Sequence, residues 1–290
     1  MKILSASLSN HLVATFLLLV VFFTYSFSSY ASVSNLPAVN SYGLPFSKVV
    51  IWGVKLHSHT HSYIHWAFER AFKHLGYPVY WLDNSDDTRD FDFSNALFLT
   101  VGLADQNIPL REDGWYILHN VDQAKYAHLY RQGHCVTMQV YTHDCRMRPV
   151  TCLDDFVCYD LQDKTLYMPW ATDLLPYEID LIKKRLPSLK KEYKISFVGS
   201  KWGGRQGNVR ELENFEMACK DYGIPFNIVT KVDCDEHIAH VQTALMAPAI
   251  QGHWQCEKGY IPCRIFKNIS YGQFGITNSE TVYKLFHKKI

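Results

Sequence analysis

The sequence lacks a strong charge excess and lacks closely spaced cysteines. Its 290 residues include 29 Lys and Arg against 28 Asp and Glu, so the net charge of +1 gives no reason to expect broad nucleic-acid binding. None of its eight cysteines forms a Cys-x-x-Cys pair, which argues against a zinc ribbon or a thioredoxin-type redox site. A hydrophobic fraction of 48% is ordinary for a globular protein and excludes intrinsic disorder.

The first part of the chain lacks charge altogether. Between Lys2 and Lys48 there is no Asp, Glu, Lys or Arg, and residues 12–23 are apolar apart from Thr15. A basic residue, a short apolar run and the small-x-small sequence at 29–31 together predict a secretory signal peptide. The apolar run is shorter than the roughly 20 residues that span a bilayer, which favours a cleaved signal over an uncleaved signal anchor.

This leader sets the expected location and organisation of the chain. Residues 1–31 are predicted to be the signal peptide or anchor, and residues 32–47 a linker. We expect a protein of the secretory pathway, exported or held at a membrane through residues 12–27. An anchored chain whose body faces the cytoplasm is the alternative.

The remaining charge is divided unevenly along the chain. Residues 1–175 carry 12 basic and 16 acidic side chains, whereas residues 176–290 carry 17 basic and 12 acidic side chains. A basic second half favours an anionic ligand there.

The body alternates short apolar runs with amphipathic stretches, which is typical of a doubly wound α/β fold with parallel strands. We predict two Rossmann-like halves that face a cleft, over residues 48–175 and 176–290, with ligands at the carboxyl ends of the strands. The predicted strands are 49–52, 79–82, 96–101, 115–118, 194–199, 226–229, 248–251 and 274–278, and the predicted helices are 61–75, 209–222, 236–246 and 261–271. Between 128 and 168 only short strands and loops are predicted.

A glycine-rich loop over 199–207 follows one of these strands and precedes a helix. Its glycines allow a ligand to approach the backbone, and the helix N-terminus offers free N–H groups to a phosphate. Lys201 and Arg205 add full positive charges to the loop. The loop matches neither the dinucleotide-binding fingerprint nor the Walker A pattern, so it identifies no particular nucleotide.

The stretch 257–278 is the most informative part of the sequence. A polar loop leads into the predicted helix over 261–271, with Pro262 in the first turn, where a missing N–H costs little. Arg264 and Lys267 are three residues apart and therefore share one face of that helix. Two cations placed at the start of a helix can clamp a diphosphate.

These motifs resemble those of GT-B glycosyltransferases, in particular the retaining, metal-independent kind. The stretch 197–201 resembles the family's strand that ends in a glycine and a basic loop, and 261–272 resembles its helix against the nucleotide sugar. Residues 168–176 are similar to the family's interdomain crossover. Residues 116–120 are similar to the strand that presents a histidine to the donor. The positions where the family commonly has two Glu hold Gly259 and Lys267, and Glu257 stands close by.

The resemblance implies transfer of a sugar from a nucleotide sugar to a glycan, lipid or protein acceptor. The first half would be the acceptor domain and the second half the donor domain. Neither a metal nor another cofactor is implied, and nucleic acid is not an expected partner. His119 would be the catalytic residue, contacting the donor sugar or orienting the acceptor hydroxyl. The implied donor-binding residues are Gly199, Ser200, Lys201, Arg205, Glu257, Arg264, Lys267 and Asn278.

Two other classes of protein remain open from the sequence. His57, His59 and His61 follow the first predicted strand, and histidines at such a strand end could ligate Zn²⁺ in a metal-dependent hydrolase. The signal peptide also suits a non-catalytic exported binding protein with two lobes. Metal analysis of the pure protein and a donor-hydrolysis assay would separate these hypotheses from the glycosyltransferase.

Overall fold

The computed structural model describes residues 44–58, 61–100, 107–119, 124–141, 158–160 and 164–286. This part of the chain is a mixed α/β protein with two compact units. Unit 1 contains the described residues up to Gln139 and those from 158 to Met168, and unit 2 contains Val140, Tyr141 and the residues from Pro169 onwards. The predicted leader and most of the predicted linker lie outside the described residues.

Unit 1 is built on a seven-stranded sheet in the order β2-β1-β3-β4-β5-β7-β6. Six of its strands are parallel, and only β6 runs antiparallel to its neighbour β7. The strands are β1 (Lys48–Trp52), β2 (Val79–Leu82), β3 (Ala96–Thr100), β4 (Trp115–Leu118), β5 (Cys135–Gln139), β6 (Cys158–Asp160) and β7 (Thr165–Tyr167).

The strand order gives unit 1 a point at which the winding of the chain reverses. From β1 the chain first adds β2 on one side and then returns to add β3 on the other side. Strands β3 and β4 are buried along their whole length, as expected for continuous apolar strands covered on both faces. In such sheets a crevice forms at the carboxyl ends of the strands beside the reversal.

Within the described residues, two helices accompany the unit 1 sheet. Helix α1 (Ser62–His74) buries His65 and Phe72, and it ends before Gly76, whose φ of 85° is the left-handed conformation that glycine adopts readily. Helix α2 (Ala127–Gln132) ends in the same way at Gly133, with a φ of 82°. The predicted helix over 61–75 is therefore confirmed, and α2 is an element that the sequence did not predict.

Unit 2 is built on a three-stranded parallel sheet in the order β10-β8-β9. The central strand is β8 (Glu192–Val198), with β9 (Phe226–Val229) on one side and β10 (Ala244–Met246) on the other. Beyond β10 a single parallel bridge joins Ala249 to Thr277. Hence the strands predicted over 248–251 and 274–278 are reduced to that one bridge.

Six helices of unit 2 are described. Both faces of the sheet are covered, because Val198 packs among apolar residues that include Ile182 and Val241, while Phe197 packs with Leu212 and Ile250. None of the helices described in either unit is long and apolar enough to cross a bilayer. The helices are α3 (Pro176–Arg185), α4 (Val209–Asp221), α5 (Cys234–Thr243), α6 (His253–Glu257), α7 (Cys263–Ser270) and α8 (Glu280–Leu285), and a 3₁₀ turn (Leu186–Ser188) follows α3.

The helix predicted over 236–246 was wrong at both ends. The carboxylate of Asp233 accepts a hydrogen bond from the N–H of Glu236 at 2.8 Å, and the Glu236 carboxylate accepts one from the N–H of Asp233 at 3.3 Å. This capping box starts the helix at Cys234. The helix ends at Thr243 because the next three residues leave it to pair with β8, with Ala244 opposite Glu192.

Candidate functional site

The carboxyl end of β8 is shaped by Gly199. Its φ of 151° is a conformation that residues with a side chain rarely adopt. A Cβ atom at this position would also collide with the guanidinium group of Arg264. Glycine is therefore needed here so that the Arg264 side chain can lie directly against the end of the strand.

Arg264 is held by the last residue of β8 and by the segment that follows β10. Its Nε donates a hydrogen bond to the carbonyl of Val198 at 2.8 Å, and Nη1 donates one to the carbonyl of Ile250 at 3.2 Å. The guanidinium carbon lies 4.1 Å from the centre of the Phe197 ring, so a cation–π contact fixes the plane of the group. Since β8 and β10 are adjacent, with β9 on the other side of β8, this position is the reversal point of the unit 2 sheet.

The charge of Arg264 is not neutralised within the described part of the chain. No described carboxylate forms an ion pair with it, and its hydrogen bonds use two of the five N–H donors of a guanidinium group. Burial lowers the pKa of Arg264 from its ordinary 12.5, but an arginine stays protonated in proteins. A half-buried cation with unused donors is suited to bind an anion such as a phosphate.

The loop that follows Gly199 is held by the side chain of Asn208. Its Oδ1 accepts a hydrogen bond from the N–H of Trp202 at 3.2 Å, and its Nδ2 donates to the carbonyl of Ser200 at 3.2 Å. Gly207 packs so closely that a Cβ atom there would overlap the carbonyl of Trp202. The loop therefore leads in a fixed course from β8 to the first turn of α4, and the N–H groups of a helix start are suited to bind an anion.

The three polar residues predicted in this loop are all exposed. Lys201 lies 3.3 Å from Glu213 on α4, so part of its charge is already compensated. Arg205 forms no ion pair with any described residue, and Ser200 is exposed although its backbone carbonyl accepts from Asn208. Lys201 and Arg205 thus add exposed positive charge on the segment that joins β8 to α4.

Lys267 does not share the environment of Arg264, although both lie on α7. Its Nζ is 2.8 Å from the Asp173 carboxylate, and both side chains are buried. The hydroxyl of Tyr271 donates to the other oxygen of Asp173 at 2.6 Å. Burial opposes the charge of Lys267, yet the Asp173 carboxylate raises its pKa above the ordinary value. The structure therefore gives Lys267 a structural partner and does not place it with Arg264.

Asn278 and Glu257 also have partners inside the protein. The Asn278 side chain accepts from the N–H of Gln251 at 3.0 Å and donates to the carbonyl of Gln251 at 2.8 Å. It thereby fixes the segment after β10 that supplies the Ile250 carbonyl to Arg264. Glu257 is exposed on α6, where its carboxylate lies 3.1 Å from Nε2 of His253.

His119 lies in unit 1, directly after β4, and is only 2% exposed. Its ring meets the ring of His61 edge to face, with centroids 5.9 Å apart. Burial lowers the pKa of His119 to about 3, and the neighbouring His61 adds to this effect. The imidazole is therefore neutral at physiological pH and can accept a proton or donate a hydrogen bond, according to its tautomer.

Two of the three histidines proposed as metal ligands, His57 and His61, lie in the described residues, where they have different neighbours. His57 is exposed, with Nδ1 3.3 Å from the hydroxyl of Tyr63, while His61 faces His119. His59 lies outside the described residues. In the described ranges there is no group of three or more His, Cys, Asp or Glu side chains that could hold a metal ion.

Several residues at the unit 2 site were not predicted from the sequence. Asn208 organises the loop, and Asp173 and Tyr271 hold Lys267. Asn208 could have been suspected, because Asn immediately before a helix is a common N-terminal signal. The partner of Lys267 leaves no local signal, because Asp173 is 94 residues away in the sequence.

Searches of this chain against protein-family models, curated proteins and solved structures found no match.

Proposed function

We propose that the chain is a glycosyltransferase whose unit 2 binds the diphosphate of a nucleotide sugar at Arg264. The observation that supports this most directly is the guanidinium group held on the carbonyls of Val198 and Ile250, with no carboxylate partner in the described part of the chain. Ligands of doubly wound sheets bind at this position, where the order of the strands reverses. The fold class that accompanies the proposal is two Rossmann-like halves of the GT-B type.

The chemistry required of this site is electrostatic. When the bond between the sugar and the diphosphate breaks, negative charge develops on the leaving oxygens. Fixed donors aimed at that charge stabilise the transition state without having to reorganise. Arg264 can supply two parallel N–H groups to phosphate oxygens, and the backbone of Gly199 lies beside it. Lys201 and Arg205 would add charge once the ligand is bound.

The other residues implied by the resemblance receive different roles in this proposal. Lys267 and Asn278 support the elements that hold Arg264 and do not contact the diphosphate, since their polar groups bond within the protein. Glu257 could reach a ribose or sugar hydroxyl only by leaving His253. The role of His119, at the donor sugar or the acceptor hydroxyl, stays a prediction.

Calorimetric titration of the full chain with UDP and GDP tests the proposal. Arg264→Ala should weaken the binding of the preferred nucleotide about 10- to 100-fold, because a hydrogen bond to a charged group contributes about 1.5–3 kcal/mol. Arg264→Lys keeps the charge but loses the paired geometry, so its affinity should lie between those of Arg264→Ala and the wild type. The exposed Lys231, which forms no ion pair with a described residue, supplies the control Lys231→Ala.

The outcome separates the three hypotheses. Unchanged nucleotide binding in folded Arg264→Ala, or no binding by the wild type, would sink the proposal. Binding without transfer or hydrolysis across a panel of nucleotide sugars would favour the non-catalytic binding protein. A stoichiometric transition metal in the pure protein, lost on His57→Ala or His61→Ala, would favour the hydrolase.

A further inference from the structure

The excess of basic over acidic residues in 176–290 is concentrated away from Arg264. Residues 176–290 carry 17 basic and 12 acidic side chains, of which 183–194 alone contain six basic residues and one acidic residue. The rest of 176–290 therefore holds 11 of each sign and is neutral. The whole basic excess of the second half lies in one stretch of 12 residues.

This stretch lies at the amino end of the unit 2 sheet. It covers the last turn of α3, the 3₁₀ turn and the first residues of β8. Arg264 binds the carbonyl of Val198, the last residue of β8. A strand advances about 3.3 Å per residue, so the two ends of β8 are roughly 20 Å apart. The basic stretch is therefore distinct from the proposed phosphate site.

Four cations of the stretch have no acidic partner among the described residues. Lys184 and Lys190 are exposed and form no ion pair with a described residue. Arg185 donates to Oε1 of Gln242 at 3.1 Å, and Lys191 donates to the Gln242 carbonyl at 2.7 Å. Because an amide carries no net charge, Gln242 fixes the position of Arg185 and Lys191 and leaves their charges uncompensated.

Two exposed tyrosines lie at the same end of the sheet. Tyr193, at the start of β8, is 64% exposed, and Tyr222, in the turn before β9, is 80% exposed. The N–H of Ile195 donates to the carbonyl of Pro225 at 2.8 Å, so this turn lies beside the first residues of β8. We name the four cations Lys184, Arg185, Lys190 and Lys191, together with Tyr193 and Tyr222, the basic face.

We propose that the basic face docks unit 2 onto the surface of an anionic lipid membrane. Uncompensated cations are attracted to anionic headgroups, and tyrosine favours the boundary between headgroups and acyl chains because its ring is apolar and its hydroxyl polar. The apolar run over 12–23 predicts delivery of the chain to a membrane during export, and where it stays on the chain as a signal anchor it would keep unit 2 close to such a surface. The phosphate site would then lie at the end of the sheet away from the lipid.

Vesicle partitioning of the full chain tests this inference. One set of vesicles contains phosphatidylcholine alone, and the other contains a three-to-one mixture of phosphatidylcholine and phosphatidylserine. Because residues 12–23 can bind both sets, the quantity to measure is the ratio of the two partition coefficients. Lys184→Gln with Lys190→Gln should lower this ratio about 30-fold, which corresponds to about 1 kcal/mol per lysine near an anionic surface.

A matched pair of substitutions controls for net charge. Lys231→Gln with Lys258→Gln also removes two charges, from lysines outside the basic face that form no ion pair with a described residue. This variant should keep the wild-type ratio within about twofold, since charges beyond a Debye length of about 10 Å are largely screened. Tyr193→Ser with Tyr222→Ser should weaken binding to both kinds of vesicle.

Three results would overturn the inference. The first is a wild-type ratio near one, which would show no preference for the anionic lipid. The second is an equal loss in the basic-face pair and the control pair. The third is tighter binding to an acidic polypeptide or to duplex DNA than to the anionic vesicles, lost in the basic-face pair, which would assign the surface to a macromolecular partner.

Discussion

Gly199 decides whether the guanidinium of Arg264 can reach the end of β8. An added Cβ atom would meet the far end of the arginine side chain, which can move aside, and would also be strained at the φ of 151°. Gly203, in the same loop, has open space around its Cβ position and no such backbone conformation. Substitutions at the two glycines therefore distinguish an effect on the position of Arg264 from an effect on the flexibility of the loop.

Gly199→Ala is predicted to weaken nucleoside diphosphate binding about 10- to 100-fold, like the loss of a charged hydrogen bond. Its cost in unfolding free energy should be about 1 kcal/mol or somewhat more. Gly203→Ala should change both quantities little, within about 0.5 kcal/mol. Calorimetry and thermal melting measure the two effects. Equal affinities in the two variants would contradict the proposed position of the diphosphate.

His119 makes the stability of unit 1 depend on pH. Burial lowers its pKa to about 3, whereas in the unfolded chain the pKa of a histidine is about 6.5. Between these values the unfolded chain binds the proton and the folded chain does not, so stability falls as the pH is lowered through this window. Within this window the unfolding free energy should fall by roughly 1.4 kcal/mol per pH unit because of this one group.

The matched variants are His119→Asn, which removes the buried imidazole, and His57→Asn, which removes an exposed one. Urea unfolding at a series of pH values within the window should show a shallower slope in His119→Asn only. A slope unchanged from the wild type would mean that His119 binds its proton in the folded protein as it does in the unfolded chain.

At the scale of elements, α7 carries two cations that serve different purposes. Arg264, in its first turn, lies on the strand ends, whereas Lys267 is buried against Asp173 and Tyr271. Asp173 lies in the segment before α3 and Lys267 lies in the middle of α7, so their ion pair fixes α7 relative to that segment. The position of Arg264 follows from that of the helix.

Asp173→Asn should therefore cost about 3–5 kcal/mol of unfolding free energy, because it leaves a buried ammonium group without a counter-charge. Asp173→Leu combined with Lys267→Met removes both charges and should recover most of the loss. Chemical denaturation measures these differences. If the double variant is no more stable than Asp173→Asn, the loss cannot be assigned to an unpaired charge.

How much of the fold could be predicted depends on the signal each element carries. Strands β1 to β4 were confirmed because each is a continuous apolar run between turns. Strand β10 was missed because residues 244–246 continue the apolar pattern of α5, and only pairing with Glu192 and Ile195 removes them from the helix. Helix α3 was missed although Pro176 and Glu178 form a recognisable helix start.

At the scale of the whole molecule, the limits of prediction come from pairings that are distant in the sequence. The resemblance named Gly199 and Arg264 together among the donor-binding residues, because the loop and the helix each carry a local pattern, and the structure brings the two residues together at the end of β8. It grouped Lys267 with them because helical spacing does not reveal a partner such as Asp173. The charge count was misleading in the same way: the basic excess of 176–290 suggested an anionic ligand in that half, but the residues that produce it lie at the far end of the sheet from Arg264.

The division into two units leads to a last prediction, about which segments a bound nucleotide protects from amide hydrogen exchange. All residues that hold Arg264 belong to unit 2, so a nucleoside diphosphate should slow amide hydrogen exchange in β8, in the loop 199–207 and around Ile250. At 100 times its dissociation constant the ligand should stabilise the folded state by about 2.7 kcal/mol. At the same nucleotide concentration Arg264→Ala, with its 10- to 100-fold weaker binding, should reduce the stabilisation to about 0.4–1.4 kcal/mol and weaken the protection accordingly. Protection confined to unit 1 would place the nucleotide elsewhere, because slow exchange follows the segments whose opening the bound ligand opposes.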